Sequence, residues 1–517
     1  MSLHALLALF VSFHAYPATQ DGPAHLYGAH IVGALKAGES SIYSSFFASN
    51  LHAAGNSLFT YFALFVERFG SIEWAARLAV FAALVGMPLA LIAFTRALRA
   101  QAPTASRRRL PDAAATSLGC FLAYNYFTYR GLFNYALAVP LALLALAALV
   151  GLGTPRLSFG RRAWLALASV GLAYLAALAH PAATAFLLVA VVLVSCDGGG
   201  LRKLFAALIV ALLLGVALAS RISRDAPSRT AWVNPLVALQ SFVRALGLTL
   251  TWAELVPAML LLGFALVGAR RGLASPRRWF AEWSTVWPAL LGGGMALGYF
   301  FVPFEYGGAA GLNERIPLFS VLLLLPYVAL TPRLSRWLPP AFVAFAVYTG
   351  VERVRIDGMA SAVRDSTSAQ LIPRGSVVYA ASLRIKMGAV SADLGRHVLA
   401  DVARRRDLIA GTVFASHPAH VLRATSQAPP VASGSAVQGF EHLSASERAA
   451  ALGNPNSPIR RGFEQMRREA QPFHYLLVVG EPSLNAAFER FVTEPLGARL
   501  LSPAGDALRV YAVGGAA

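Results

Sequence analysis

Apolar stretches long enough, or nearly long enough, to cross a bilayer recur along the first 350 residues, and arginine clusters close every second one. A crossing helix needs about 17–25 predominantly apolar residues, and basic residues gather on the cytoplasmic side of such helices. The pattern therefore specifies a polytopic α-helical membrane protein. Composition agrees: of 517 residues 57% are hydrophobic and 13% charged, against about 25% charged in soluble domains. The net charge of +19 suggests nucleic acid until its location is read. Much of it lies in short loops between apolar segments, and no basic run is interleaved with aromatics, so nucleic acid is excluded as a partner.

Eleven spans are expected: residues 1–17, Ile72–Leu98, Ala113–Tyr124, Tyr135–Val150, Ala163–Ala179, Ala182–Ser195, Leu204–Ala219, Trp252–Gly268, Trp283–Phe301, Ile316–Leu330 and Leu338–Gly350. Residues 1–17 lack the basic start and the cleavage site of a signal peptide, so they read as an uncleaved first span. Arginines at 107–109, 161–162, 202 with Lys203, 270–278 and 333–336 alternate correctly, putting the N-terminus inside and the C-terminus outside. Loop 220–250 dissents: it carries Arg221, Arg224, Arg229 and Arg244 against Asp225, yet the count leaves it outside. Residues 18–71 form the first outer loop, in which Asn56–Phe69 reads as an interfacial helix.

The domain boundary is expected at residue 351, with 1–351 in the membrane and 352–517 a small extracytoplasmic α/β domain. Ser376–Ala381, His474–Gly480 and Ala507–Val513 read as strands, and Ala392–Arg405 and Ser483–Val492 as helices. Thr425–Ala436, rich in small residues and proline, separates its halves. The domain carries no nucleophile elbow, Walker loop or zinc spacing. Cys120 and Cys196 make neither a disulfide framework nor a metal spacing.

The chemistry centres on Thr19-Gln20-Asp21-Gly22-Pro23-Ala24-His25-Leu26-Tyr27, directly after the first span. A carboxylate is costly inside lipid, so Asp21 belongs at the water boundary or in a polar cavity, where it acts in catalysis or caps the helix opening at Pro23. Asp21, then Leu26-Tyr27, then an aromatic helix ending in Phe69-Gly70-Ser71-Ile72-Glu73-Trp74-Ala75-Ala76-Arg77-Leu78, resembles the GT-C glycosyltransferase superfamily, nearest the bacterial protein mannosyltransferase and aminoarabinose-transferase types. The resemblance covers residues 1–100 at motif level and the rest as architecture.

That resemblance implies inverting transfer of a sugar from a polyprenyl-phosphate donor to an acceptor of unspecified kind, at the outer face of a bacterial inner membrane. Asp21 takes the position of the family's base. Family members commonly place a second acid beside it; here that position is Gly22, which disfavours a divalent metal held by paired acids. No other cofactor is implied, and arginines carry more of the charge. A leaving phosphate needs fixed cations, and the outer-side candidates are Arg130, His180, Arg315 and the 220–250 arginines, with Glu305 beside them and His25 and Tyr27 near Asp21. Each has a plainer alternative: Arg315 paired with Glu314 or Glu305, His180 ending a span, Arg130 and Asn134 as interfacial anchors, His25 and Tyr27 as packing. A lipid-linked-sugar transporter would show a pseudo-repeat and broken helices, and neither is visible. A non-catalytic scaffold is the third reading.

Overall fold

The computed structural model describes residues 2–13, 19–37, 42–50, 55–101, 110–154, 157–196, 199–219, 230–246, 259–267, 270, 283–306, 309–328, 330–383, 397–411, 422–429, 440, 443–480, 482–503 and 505–513. The chain divides into two compact units. One comprises Met1–Ala15, Leu51–Phe59 and Arg77–Arg353; the other comprises Tyr16–Asn50, Thr60–Ala76 and Val354–Ala517.

The first unit is helical. Among the described residues, Glu73–Gln101, Phe133–Gly151, Phe159–Ala179 and Gly200–Leu218 are long and apolar enough to cross a membrane. Ser2–Phe13, Leu58–Glu67, Pro181–Ser195 and Val286–Phe301 are apolar but shorter. These helices, among the described residues, cover only part of the expected eleven spans. The expected Ile316–Leu330 span stops as an α-helix at Leu324 and tightens into a 3-10 turn, Leu325–Tyr327, because Pro326 lacks the N–H that would continue it. The expected Trp252–Gly268 span lies largely outside the described residues, as do Arg107–Arg109 and Arg221–Arg229.

Small residues set the packing. Phe159–Ala179 buries Ala166, Ser169, Ala173, Ala176 and Ala177, a stripe at helical spacing that lets the neighbouring helices Phe133–Gly151, Pro181–Ser195 and Gly200–Ala219 approach closely. Trp283–Gly298 packs on Ile316–Leu324 through Gly292, whose carbonyl accepts from Ser320 Oγ at 2.7 Å. Asp112–Ala123 meets Glu73–Gln101 at Gly119, where an added Cβ would stand 2.6 Å from the Pro88 Cα. Phe186 stacks on Phe319 at 4.1 Å.

The second unit holds a five-stranded sheet in the order Ile409–Ala410, Val377–Ser382, Tyr475–Val479, Arg509–Ala512, Arg499–Leu500. The first three strands run parallel and the last two antiparallel. The expected strands lie within a residue or two of these. Tyr379, Leu476, Val478, Phe463, Met466, Phe488 and Tyr511 form its core. Helix Pro458–Ala470, where no element is expected, places Phe463, Met466 and Ala470 in that core, exposes Arg461 and Arg468, and lays Arg460 over the Phe491 ring. Helix Pro332–Arg364 runs through the expected boundary at 351. Charged residues end its apolar span there, but nothing breaks the helix. The first loop supplies Phe47–Ser49, which pairs antiparallel with Leu422–Ala424, and helix Gly22–Lys36, which packs on Val398–Arg406.

Candidate functional site

Pro23 fixes the start of helix Gly22–Lys36, leaving Asp21 at the N-cap position with φ −101° and ψ −14°. A capping aspartate usually has extended backbone and accepts an amide from the first turn. Asp21 has neither feature: its side chain makes no cap bond. Instead the buried carboxylate lies with Oδ1 3.6 Å from His397 Nε2. His397 is itself the N-cap of helix Val398–Arg406 and makes no side-chain cap bond either.

Further contacts fix how these two helices lie. The Tyr27 hydroxyl donates to the Leu408 carbonyl and accepts from the Ala410 amide at 3.2 Å. His30 Nε2 stands 3.3 Å from Asp407 Oδ1, and its Nδ1 3.8 Å from Glu67 Oε1. N-terminus thus meets N-terminus and C-terminal residues meet C-terminal residues, so the helices run parallel. The positive ends of two helix dipoles meet at the Asp21–His397 pair, an environment that favours negative over positive charge. His25, one turn along, donates its backbone amide to the Asp21 carbonyl at 3.0 Å. Burial, offset in part by the Asp21 carboxylate, pulls its imidazole down to about 4.

Behind the pair lies an ion network in the same unit. Arg404 bonds Asp401 Oδ1 at 2.8 Å and Glu73 Oε1 at 2.7 Å, and Arg405 reaches Glu73 at 2.6 Å and Asp365 at 3.2 Å. Hydrogen bonding to Arg364 holds the Asp365 carboxyl below its usual range. His397, Asp401 and Arg404 were not singled out from the sequence. Their spacing of i, i+4 and i+7 on one face of an expected helix was the available signal.

The cationic candidates belong to the first unit. Asn125 caps the short helix Tyr126–Arg130, accepting from Phe127 and Thr128, and Gly131 closes it in the left-handed conformation. Arg130 ends that helix, 3.2 Å from Glu314 Oε2 and 3.3 Å from the Tyr126 hydroxyl. Gly311 has φ +69°, and an added Cβ would stand 2.8 Å from Glu314 Oε2, so a side chain there would be strained and would displace Glu314. Arg315 donates to the Gly311 carbonyl at 2.8 Å, and its own carbonyl accepts from the Tyr135 hydroxyl at 2.6 Å. His180 caps Pro181–Ser195, its Nδ1 accepting the Ala182 amide at 3.1 Å, and its ring lies 5.2 Å from that of Tyr135. Arg130, Arg315 and His180 thus share one neighbourhood, in which Glu314, expected to pair with Arg315, instead takes Arg130. Glu305 sits in the strand Glu305–Tyr306, paired with Ala231 and Ala310. Asn134 clamps the turn before Leu58–Glu67, accepting the Phe59 amide at 2.7 Å and donating to the Asn56 carbonyl at 2.9 Å. Among the described residues no group of three or more His, Cys, Asp or Glu is placed to hold a metal ion.

No protein-family model matches the chain, and no curated protein matches it. Solved structures do. ArnT from Cupriavidus metallidurans bound to undecaprenyl phosphate aligns over 100% of this chain and 97% of its own, at 14% identity and a TM-score of 0.51. The apo state of the same protein aligns over 99% and 96%, at 15% identity and a TM-score of 0.50. Identities this low speak to architecture, and on that the agreement spans both chains from end to end: this protein has a GT-C-like fold.

Proposed function

We propose that the protein is an inverting membrane glycosyltransferase that moves a sugar from a polyprenyl phosphate to an acceptor at the outer face of the inner membrane. The observation that carries the reading is the state of Asp21: buried, at a helix N-terminus, with its carboxylate turned from the cap toward His397. A merely structural N-cap aspartate would spend that oxygen on the helix. In the proposed step the acceptor oxygen attacks the anomeric carbon, the bond from that carbon to the phosphate oxygen breaks, and the lipid phosphate leaves with the electron pair. Asp21 takes the acceptor's proton, and His397 holds the carboxylate by Oδ1 in the orientation that receives it.

The Arg130, Arg315 and His180 neighbourhood suits an anion on its own chemistry. It holds the Arg130 guanidinium on Glu314 and the Arg315 guanidinium on the Gly311 carbonyl, and a guanidinium fork matches phosphate oxygens. Of the two arginines, Arg315 is the one assigned the phosphate contact, since it stands at the start of helix Ile316–Leu324. The ArnT structure contains undecaprenyl phosphate, which makes that lipid the natural donor carrier to try.

The test uses the full chain reconstituted in vesicles with a panel of undecaprenyl-phosphate-linked sugars and a bacterial envelope extract as the source of acceptor hydroxyls, reading acceptor-dependent release of undecaprenyl phosphate. Loss of a general base costs about 10²–10⁴-fold, so Asp21→Asn is expected to lower release by that factor. Undiminished release by Asp21→Asn overturns the assignment. A charge-assisted contact is worth about 1.5–3 kcal/mol, and Arg315→Ala is expected to weaken donor binding by about ten- to a hundredfold.

A further inference from the structure

Loop 220–250, the segment whose arginines fit the topology least well, contains a built helix. Asn234 caps it, its Oδ1 accepting the Leu236 amide at 2.9 Å, Pro235 starts it, and it runs Pro235–Arg244. Ten residues of α-helix reach about 15 Å, half of a bilayer's hydrocarbon thickness of about 30 Å. It cannot span.

Two of its faces are apolar. Ala238, Phe242 and the following Ala245, at i, i+4 and i+7, are buried. The Tyr299 hydroxyl donates to the Ala238 carbonyl at 2.7 Å, and its ring stands edge-on to Phe242 at 5.1 Å. On the outer side Leu236 is 77% exposed and Leu239 49%, with Trp232 at 61% just before the cap. A helix apolar toward both the protein and its surroundings is not built for water.

The tie to Tyr299 says what covers the outer face. Tyr299–Phe301 is the turn that directly continues the apolar helix Trp283–Gly298, and Leu297 and Phe301 are 69% and 78% exposed. These side chains and those of Pro235–Arg244 hang from one hydrogen-bonded junction. The lipid that covers the end of Trp283–Gly298 therefore extends over the short helix, and Trp232 takes the headgroup level that indole rings favour.

We infer that Pro235–Arg244 is an interfacial helix that lies in one leaflet with Leu236 and Leu239 among the acyl chains. This rests on Trp283–Gly298 meeting lipid and not on any glycosyl transfer.

The test is spin labelling of the full chain carrying Cys120→Ala and Cys196→Ser, with Leu236→Cys, Leu239→Cys or Arg461→Cys added singly. Arg461, exposed on helix Pro458–Ala470, is the aqueous reference. In vesicles of phosphatidylethanolamine and phosphatidylglycerol, labels at 236 and 239 are expected to collide freely with oxygen and to be shielded from a water-soluble nickel chelate at least fivefold relative to 461. Chelate access equal to that at 461 overturns the inference. So does shielding from both reagents, which would mean that protein, a second copy included, covers the face.

Discussion

A histidine four residues after the candidate base makes the first loop sensitive to acid. The His25 imidazole has its pKa pulled down to about 4, whereas in the unfolded chain it titrates near 6.5. Above about 6.5 it is neutral in both states and contributes no slope. As pH falls from there toward about 4 the unfolded chain takes up a proton that the folded one refuses, and stability drops. The thermal midpoint of the full chain in detergent is expected to fall through that window, and less steeply in His25→Gln. Tyr27→Phe leaves the Ala410 amide without its hydroxyl acceptor, at a cost of about 1–3 kcal/mol, read as a lower midpoint at all pH values. Asp21 could be found in the sequence because a carboxylate after an apolar run is conspicuous. His397 could not, because its significance comes from a parallel helix pairing between residues far apart in the chain.

At the scale of elements, two close approaches carry helix packing. An added Cβ at Gly292 would stand 2.9 Å from Leu324 Cγ and 3.0 Å from the Ser320 carbonyl. At Gly119 the obstacle is Pro88 backbone, which cannot swing aside. Gly119→Val is therefore expected to cost the upper part of the roughly 1–3 kcal/mol that overpacking exacts. Gly292→Ala adds a single carbon at 2.9–3.1 Å from its neighbours instead of 2.6 Å and is expected to cost less, with thermal midpoints ranking the two. The long apolar helices could be read from composition alone, since a run of that length has few other fates. Pro458–Ala470 could not, because Phe463, Met466 and Ala470 are few among arginines and glutamates. Pro235–Arg244 was hidden by the arginines around it.

On the scale of the whole molecule, the expected division at residue 351 misses that the second unit is discontinuous. Its sheet was legible, since buried strands announce themselves as apolar runs. The contribution of residues 16–50 was not: Phe47–Ser49 finds its partner at Leu422–Ala424 and Gly22–Lys36 lies along Val398–Arg406, pairings that no local pattern specifies. Residues 354–517 expressed alone are expected to lack a cooperative thermal transition by near-ultraviolet circular dichroism, because that bed for the first loop would be bare. A sharp transition in the isolated segment would contradict this.

The same discontinuity imposes an order on biosynthesis. After making Asp21 the ribosome reaches His397 only 376 residues later, roughly 19–75 s at about 5–20 residues per second. Throughout that interval the opening segment has left the ribosome without its docking partner. A chain that stops between residues 365 and 396 would therefore carry the described helices of the first unit and still lack His397 beside Asp21.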